Sequence, residues 1–281
     1  MGFLLALLVL APLMWALLGA PDVPMVTPWL AHHLSEQTAG SPVAPVPTML
    51  ALAVGMALAI GRPRRATAHV STVAHEFGHG LTAAVLGGRV ERIIVKPDGS
   101  GSARTSGRGG VRRFVSCGVG YLSPGVLALA SVRAVESGWA VAWLGYLVAV
   151  LAVMLVLVVR SWWGVLVALV LAGAGWALVQ LAPATVVSLA LIVLAGVLAG
   201  GGVLDALDQW RARRGPSESD AHTLASMTGL STGFFAGLHV LAALALAVAV
   251  AAVPLTVPKE PITTDAAGPT TSDLESATGQ R

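Results

Sequence analysis

One cysteine in 281 residues, Cys117, excludes an intramolecular disulfide and any cysteine-based metal cluster. Charge is scarce too. Only 11% of residues are Asp, Glu, Lys or Arg, where a soluble domain carries about 25%. Aromatics make up 5%, so the apolar surface is mostly Ala, Leu and Val. Long polar stretches between the apolar runs are missing, and with them any sign of an inserted soluble domain or an internal repeat. What remains is hydrophobic: 56% of the chain, at a mean hydropathy of +0.79. This is the composition of an integral membrane protein. The 32 glycines suit close helix packing in lipid. The pI near 9.6 does not point to nucleic acid, because the arginines stand in short clusters beside apolar segments, as the positive-inside rule expects. The expected partner is the lipid bilayer, with no nucleic acid.

A bilayer span needs roughly 20 apolar residues. Leu4–Leu18 reads as an uncleaved first span, and residues 20–47, rich in Pro and nearly free of Lys and Arg, as an extracytoplasmic loop. Met49–Ile60 is a second apolar run, closed by Gly61-Arg62-Pro63-Arg64-Arg65. A helix from about Thr67 to Leu86 follows and stops at Gly87-Gly88. Val90 to Thr105 alternates apolar and polar residues around the turn cluster Pro97-Asp98-Gly99-Ser100-Gly101, the pattern of a β-hairpin. This hairpin is either a plain connection or a strand edge able to pair with an unwound substrate. Further apolar segments run over 114–132, 139–159, 162–181, 185–204 and 233–253, and a polar tail over 257–281 reads as disordered. The expected fold is an all-α polytopic membrane protein, with about six to eight membrane segments and a small β-hairpin after the 67–86 helix. Its expected organisation is residues 1–47 as first span and loop, 48–256 as a membrane-embedded domain, and 257–281 as tail. Arginines flank the 67–86 helix at both ends, so it is either re-entrant or short, or one cluster lies outside.

The chemistry concentrates in His75-Glu76-Phe77-Gly78-His79. On a helix, positions 75 and 79 share a face one turn apart, so two imidazoles can hold one metal ion. A carboxylate beside the first can take a proton from water at that metal. This is the H-E-x-x-H arrangement of zinc hydrolases, here set among Val73-Ala74 and Leu81-Thr82-Ala83, where unpaired His and Glu are costly. His75 and His79 are the expected metal ligands, Zn2+ the expected cofactor and Glu76 the expected general base. A catalytic zinc takes three protein ligands. Asp205, after the apolar run ending Val203-Leu204, is the leading third ligand, with Asp220 next and Asp208, His222 and His69 behind. Asp220 also reads as part of a helix cap with Ser219. His239, inside the last apolar span, is either a functional group or a neutral histidine bonded to a neighbouring carbonyl. His32 and His33 carry no specific expectation. Gly120-Tyr121-Leu122-Ser123-Pro124-Gly125 interrupts an apolar helix, giving either a kink beside the catalytic helix or tight helix packing.

These residues together resemble the site-2 protease family of intramembrane zinc metalloproteases. The motif helix followed by Gly-Gly and a hairpin carries the likeness, and the 120–125 segment and Ser219-Asp220-Ala221 are similar to its compact bacterial branch without a PDZ domain. The likeness covers roughly residues 48–230. It implies that His75, His79 and a distant aspartate bind zinc, that Glu76 is the catalytic base, and that the protein sits as a multi-pass chain in a bacterial plasma membrane. The family's aspartate usually precedes a glycine, whereas this chain has Leu204-Asp205-Ala206. The resemblance implies that the membrane-embedded domain 48–256 is a metalloprotease domain, and the expected activity is cleavage of a transmembrane or membrane-proximal peptide bond in a membrane protein substrate. The alternatives are a non-proteolytic membrane scaffold or regulator and, less suited to such apolar spans, a metal transporter.

Overall fold

The computed structural model describes residues 44–106, 110–214 and 219–256. The expected first span, most of the outer loop and the polar tail lie outside these residues. Within them the chain forms eight helices and a two-stranded antiparallel sheet. In chain order these are α1 (Pro45–Leu58), α2 (Arg64–Val85), β1 (Arg89–Val95), β2 (Gly101–Ser106), α3 (Gly110–Glu136), α4 (Ala140–Leu157), α5 (Trp162–Leu181), α6 (Ala184–Ala212), α7 (Asp220–Thr228) and α8 (Thr232–Thr256). Five of them, α3, α4, α5, α6 and α8, are long and apolar enough to cross a membrane, and α1 is a shorter apolar helix. The motif helix α2 is not among the five.

The hub is α6, which packs against α1, α2, α3, α4 and α8 and buries Val187, Leu191, Ile192 and Leu198 almost completely. Its run of Gly and Ala lets α1 approach to backbone contact. A Cβ on Gly55 would strike the Val193 carbonyl, and one on Gly196 the Leu52 carbonyl. In lipid such small-residue seams replace the hydrophobic drive that water supplies elsewhere. The apolar pattern of α6 runs out near Leu204, but the helix continues for two more turns. Asp205 and Asp208 therefore lie within a helix rather than beyond its end. Likewise α3 runs unbroken through Pro124, which is fully buried. There Gly125 packs on Leu246 of α8, as tight helix packing requires.

The Gly-Gly stop works as its sequence implies. Gly87 adopts φ +75, its N–H bonds to Ala84 O at 3.2 Å, and Gly88 N–H bonds to Ala83 O at 2.7 Å. That doubly bonded helix end turns the chain straight into β1. The hairpin pairs Ile93 with Ala103 and Val95 with Gly101, with an irregularity between Val90 and Arg92. Ile93 and Val95 bury against Met154, Val73 and Phe77. The far side of β1 is also occupied: Ile93 N–H bonds to Val158 O at 2.8 Å and Arg160 N–H to Ile93 O at 3.0 Å. β2 thus forms the outer strand, and its open edge faces away from the α4–α5 connection.

Candidate metal centre

Helical spacing on α2 brings His75 Nε2 and His79 Nε2 to 3.0 Å from one another. Asp220 Oδ2 meets both, at 3.3 Å from His75 and 3.2 Å from His79. Among the described residues these three form the one cluster of His, Cys, Asp or Glu placed to share a metal ion. Burial raises the Asp220 carboxyl, but hydrogen bonds from both histidines outweigh it and hold that carboxyl well below the usual carboxylate range. His79 is oriented from behind. Its Nδ1 lies 3.2 Å from Ser116 Oγ, and the Ser116 hydroxyl in turn donates to the His79 carbonyl at 3.4 Å. With a metal ion in place of the two histidines' hydrogen bonds to Asp220, His79 Nδ1–H donating to Ser116 would leave the Nε2 lone pair for the ion.

α3 supports the rings by lacking a side chain. A Cβ at Gly120 would lie 2.6 Å from His79 Nε2 and 3.1 Å from His75 Cε1. Gly78, inside the motif, makes room in the same way for Ser123 of α3. Glu76 points to the opposite side of α2 from Gly78 and is 5% exposed. There it meets the hairpin: the backbone N–H of Ala103 faces its carboxylate, and a Cβ on Gly101 would fall 2.8 Å from Oε1. Thr72, one turn earlier, donates to Gly99 O at 2.5 Å. The strand and the motif helix are thereby locked in register.

The leading sequence candidate for the third ligand is elsewhere. Asp205 accepts from Arg64 Nη2 at 3.1 Å and from Ser71 Oγ at 2.5 Å. Asp208 takes the same guanidinium at 2.6 Å and Arg211 at 2.8 Å. These carboxylates tie the end of α6 to the first two turns of α2, and that engagement keeps Asp205 out of the histidine cluster. His222 is exposed on α7, where its backbone N–H bonds to the Ser219 hydroxyl at 3.3 Å. His69 is buried edge-on to Trp163 at 5.7 Å. His239 bonds to a side-chain carbonyl, Gln209 Oε1, at 2.8 Å. Asp220 combines both of its sequence readings: Ser219 caps α7, which leaves the Asp220 carboxylate free to face α2. That Ser219 alone satisfies the helix end was the signal available in the sequence.

The cluster lies in a cleft of about 600 Å³. One wall is the whole of β2 from Gly101 to Ser106. The other is built by the start of α3 (Arg112, Arg113, Ser116, Cys117, Tyr121) and by α7. His75, Glu76 and His79 line the same cleft as β2. The model of one protein family, described as Peptidase M50B-like, matches residues 48–251, a span that takes in every wall of this cleft. No curated protein and no solved structure matches the chain.

Proposed function

Because the chain belongs to the Peptidase M50B-like family, we propose that this membrane protein is a zinc endopeptidase of the site-2 protease type, acting in a bacterial plasma membrane. Its substrate is another membrane protein, cut within or beside its transmembrane segment. The observation that carries the reading is the meeting of His75, His79 and Asp220 beside Glu76, on the floor of a cleft walled by an open strand edge.

The donor set suits zinc. A tetrahedral ion with bonds of about 2.0–2.1 Å requires ligand atoms about 3.3 Å apart, and the three separations are 3.0, 3.2 and 3.3 Å. Two imidazoles and one carboxylate also match the composition of hydrolytic zinc sites, which keep a fourth position open. A zinc ion held by His75, His79 and Asp220 supplies Lewis acidity, lowering the pKa of water and polarising the scissile carbonyl.

The protein groups do the rest. Glu76 takes a proton from the attacking water as its oxygen bonds to the carbonyl carbon, then delivers that proton to the amine nitrogen as the C–N bond breaks. A transmembrane helix hides its peptide bonds in its own hydrogen bonds, so the substrate must unwind to be cut. The β2 edge offers backbone groups to an unwound strand and holds it over Glu76. The alternative of a non-proteolytic scaffold drew on the missing Asp-Gly pair after Leu204. Asp220, followed by Ala221, also lacks that pair, and what supports the proteolytic reading is its carboxylate standing beside both histidines.

The test uses full-length protein in proteoliposomes and a fluorogenic peptide with an Ala/Leu-rich transmembrane segment. Wild type is expected to carry about one zinc per chain and to cleave the peptide. Glu76→Gln is expected to keep the zinc and lose cleavage. A Glu76→Gln protein that cleaves at the wild-type rate overturns the mechanism.

A further inference from the structure

Three polar side chains from three apolar helices meet behind the metal centre, and the hydrolysis scheme so far uses none of them. His239 of α8 is 5% exposed and donates through Nδ1–H to Gln209 Oε1 of α6 at 2.8 Å. A histidine and a glutamine are costly at such a depth unless they perform a task. The His239 ring stacks on Tyr121 of α3, with centroids 4.6 Å apart and planes 13° from parallel. Tyr121 in turn meets His75 edge-on, at 4.6 Å and 84°. The phenol ring is therefore gripped between a fixed dyad and a metal-site histidine.

Phenylalanine would fill that slot as well. What tyrosine adds is a hydroxyl, which has no hydrogen-bond partner among the described residues and is not among their buried unpartnered atoms. Tyr121 is among the residues that line the cleft, which puts that hydroxyl in reach of a group bound there. Other cleft donors are less well placed. Ser116 is committed to His79. Arg112 and Arg113 stand in the first turn of α3, about 12 Å along the helix axis from Tyr121.

We propose that Tyr121 is a catalytic hydrogen-bond donor to the oxyanion that develops on the scissile carbonyl, and that His239 and Gln209 are positioning residues that hold its ring. The inference rests on the proteolytic reading above. As water adds to the carbonyl carbon, negative charge gathers on the carbonyl oxygen. A neutral phenol O–H aimed at that oxygen stabilises the charge without transferring its proton. A donor fixed in advance in a water-poor cleft is worth far more there than in bulk solvent. The buried dyad supplies the fixing, since a ring stacked on His239 and met edge-on by His75 does not reorient as charge develops.

The test compares wild type with Tyr121→Phe, using the transmembrane fluorogenic peptide and a phosphinic analogue of its scissile bond. Glu76→Gln serves as the inactive control. Tyr121→Phe keeps both ring contacts. It is expected to retain full zinc content and an unchanged KM, to lose about 10²–10³-fold in kcat, and to bind the phosphinic analogue more weakly by a similar factor. His239→Phe and Gln209→Leu are expected to keep zinc, to lose less in kcat, and to add little to the Tyr121→Phe loss. Wild-type kcat and analogue affinity in Tyr121→Phe overturn the proposal. So does loss of zinc in that variant, which would make Tyr121 a prop for His75 alone. Cleavage by the Glu76→Gln control would sink the proteolytic reading and this assignment with it.

Discussion

Adding one methyl group at Gly120 tests the metal centre without touching a ligand. In Gly120→Ala the new Cβ lies 2.6 Å from both His79 Cε1 and Nε2 and 3.1 Å from His75 Cε1, where ordinary contact begins at 3.4 Å. Relief requires a displacement of about 0.8 Å at His79, several times the tolerance of roughly 0.2 Å on metal–ligand distances. Overpacking of this kind costs about 1–3 kcal/mol. The cost falls on the metal-bound form, because unligated rings are free to rotate away from the methyl group. At about 1.4 kcal/mol per tenfold, zinc affinity is expected to drop roughly tenfold to a hundredfold. Competition with a chromophoric chelator on detergent-solubilised protein reads it. The control is Gly118→Ala, two residues earlier on α3, where the added Cβ meets nothing within 4 Å. That change should leave zinc affinity intact and stabilise the helix by about 1 kcal/mol. Zinc affinity of Gly120→Ala within twofold of wild type would refute the placement of both rings against α3.

The two aspartates separate by assay: Asp220→Ala should lose zinc in metal analysis. Asp205→Ala should keep it and lose only about 1 kcal/mol of stability, the order expected for a part-exposed ion pair; the reverse pattern would restore Asp205 as the ligand. In Gly101→Ala the new Cβ falls 2.6 Å from Thr72 Cγ2 and 2.8 Å from Glu76 Oε1. Its kcat should fall about 10²-fold, as for a misplaced catalytic group, with zinc content unchanged, and steady-state kinetics beside metal analysis would show it. Gly196→Leu forces α1 off α6 and should cost about 3 kcal/mol or more, seen as a lowered melting temperature in detergent.

The parts of this fold that were legible in the sequence are those governed by local spacing. The histidine pair follows from an i, i+4 repeat, the end of α2 from Gly87-Gly88, and the hairpin from alternation around Pro97–Gly101. These signals act within a few residues, and the architecture of helices and hairpin follows them. The third carboxylate obeys no local rule. Asp205 stood out because it ends an apolar run, yet what decides its partner is Arg64, 141 positions away in the chain. Asp220 was harder to rank because its neighbour Ser219 gives a sufficient local reason for both residues. His239 has two readings in the sequence, a functional group or a neutral histidine on a neighbouring carbonyl, and the partner it meets is the Gln209 side-chain oxygen, 30 positions away. The aromatic stack on Tyr121, however, joins α3 to α8 and leaves no trace in either segment's periodicity.

The position of Asp220 would give a metal held there a second role. His75 and Asp220 stand about 145 residues apart in the chain, on a long helix and on a nine-residue one. An ion shared between them would close a loop that a single cysteine could never close, and so do the work of a cross-bridge. α7 has little else to hold it: Ala221 and Leu224 are its buried side chains, set against Cys117 and Phe235. Hydrogen exchange should therefore rise first at α7 when a chelator strips the protein, well before the bundle around α6 responds. In that sense zinc would be both the tool of the reaction and the clasp that shuts one wall of the cleft.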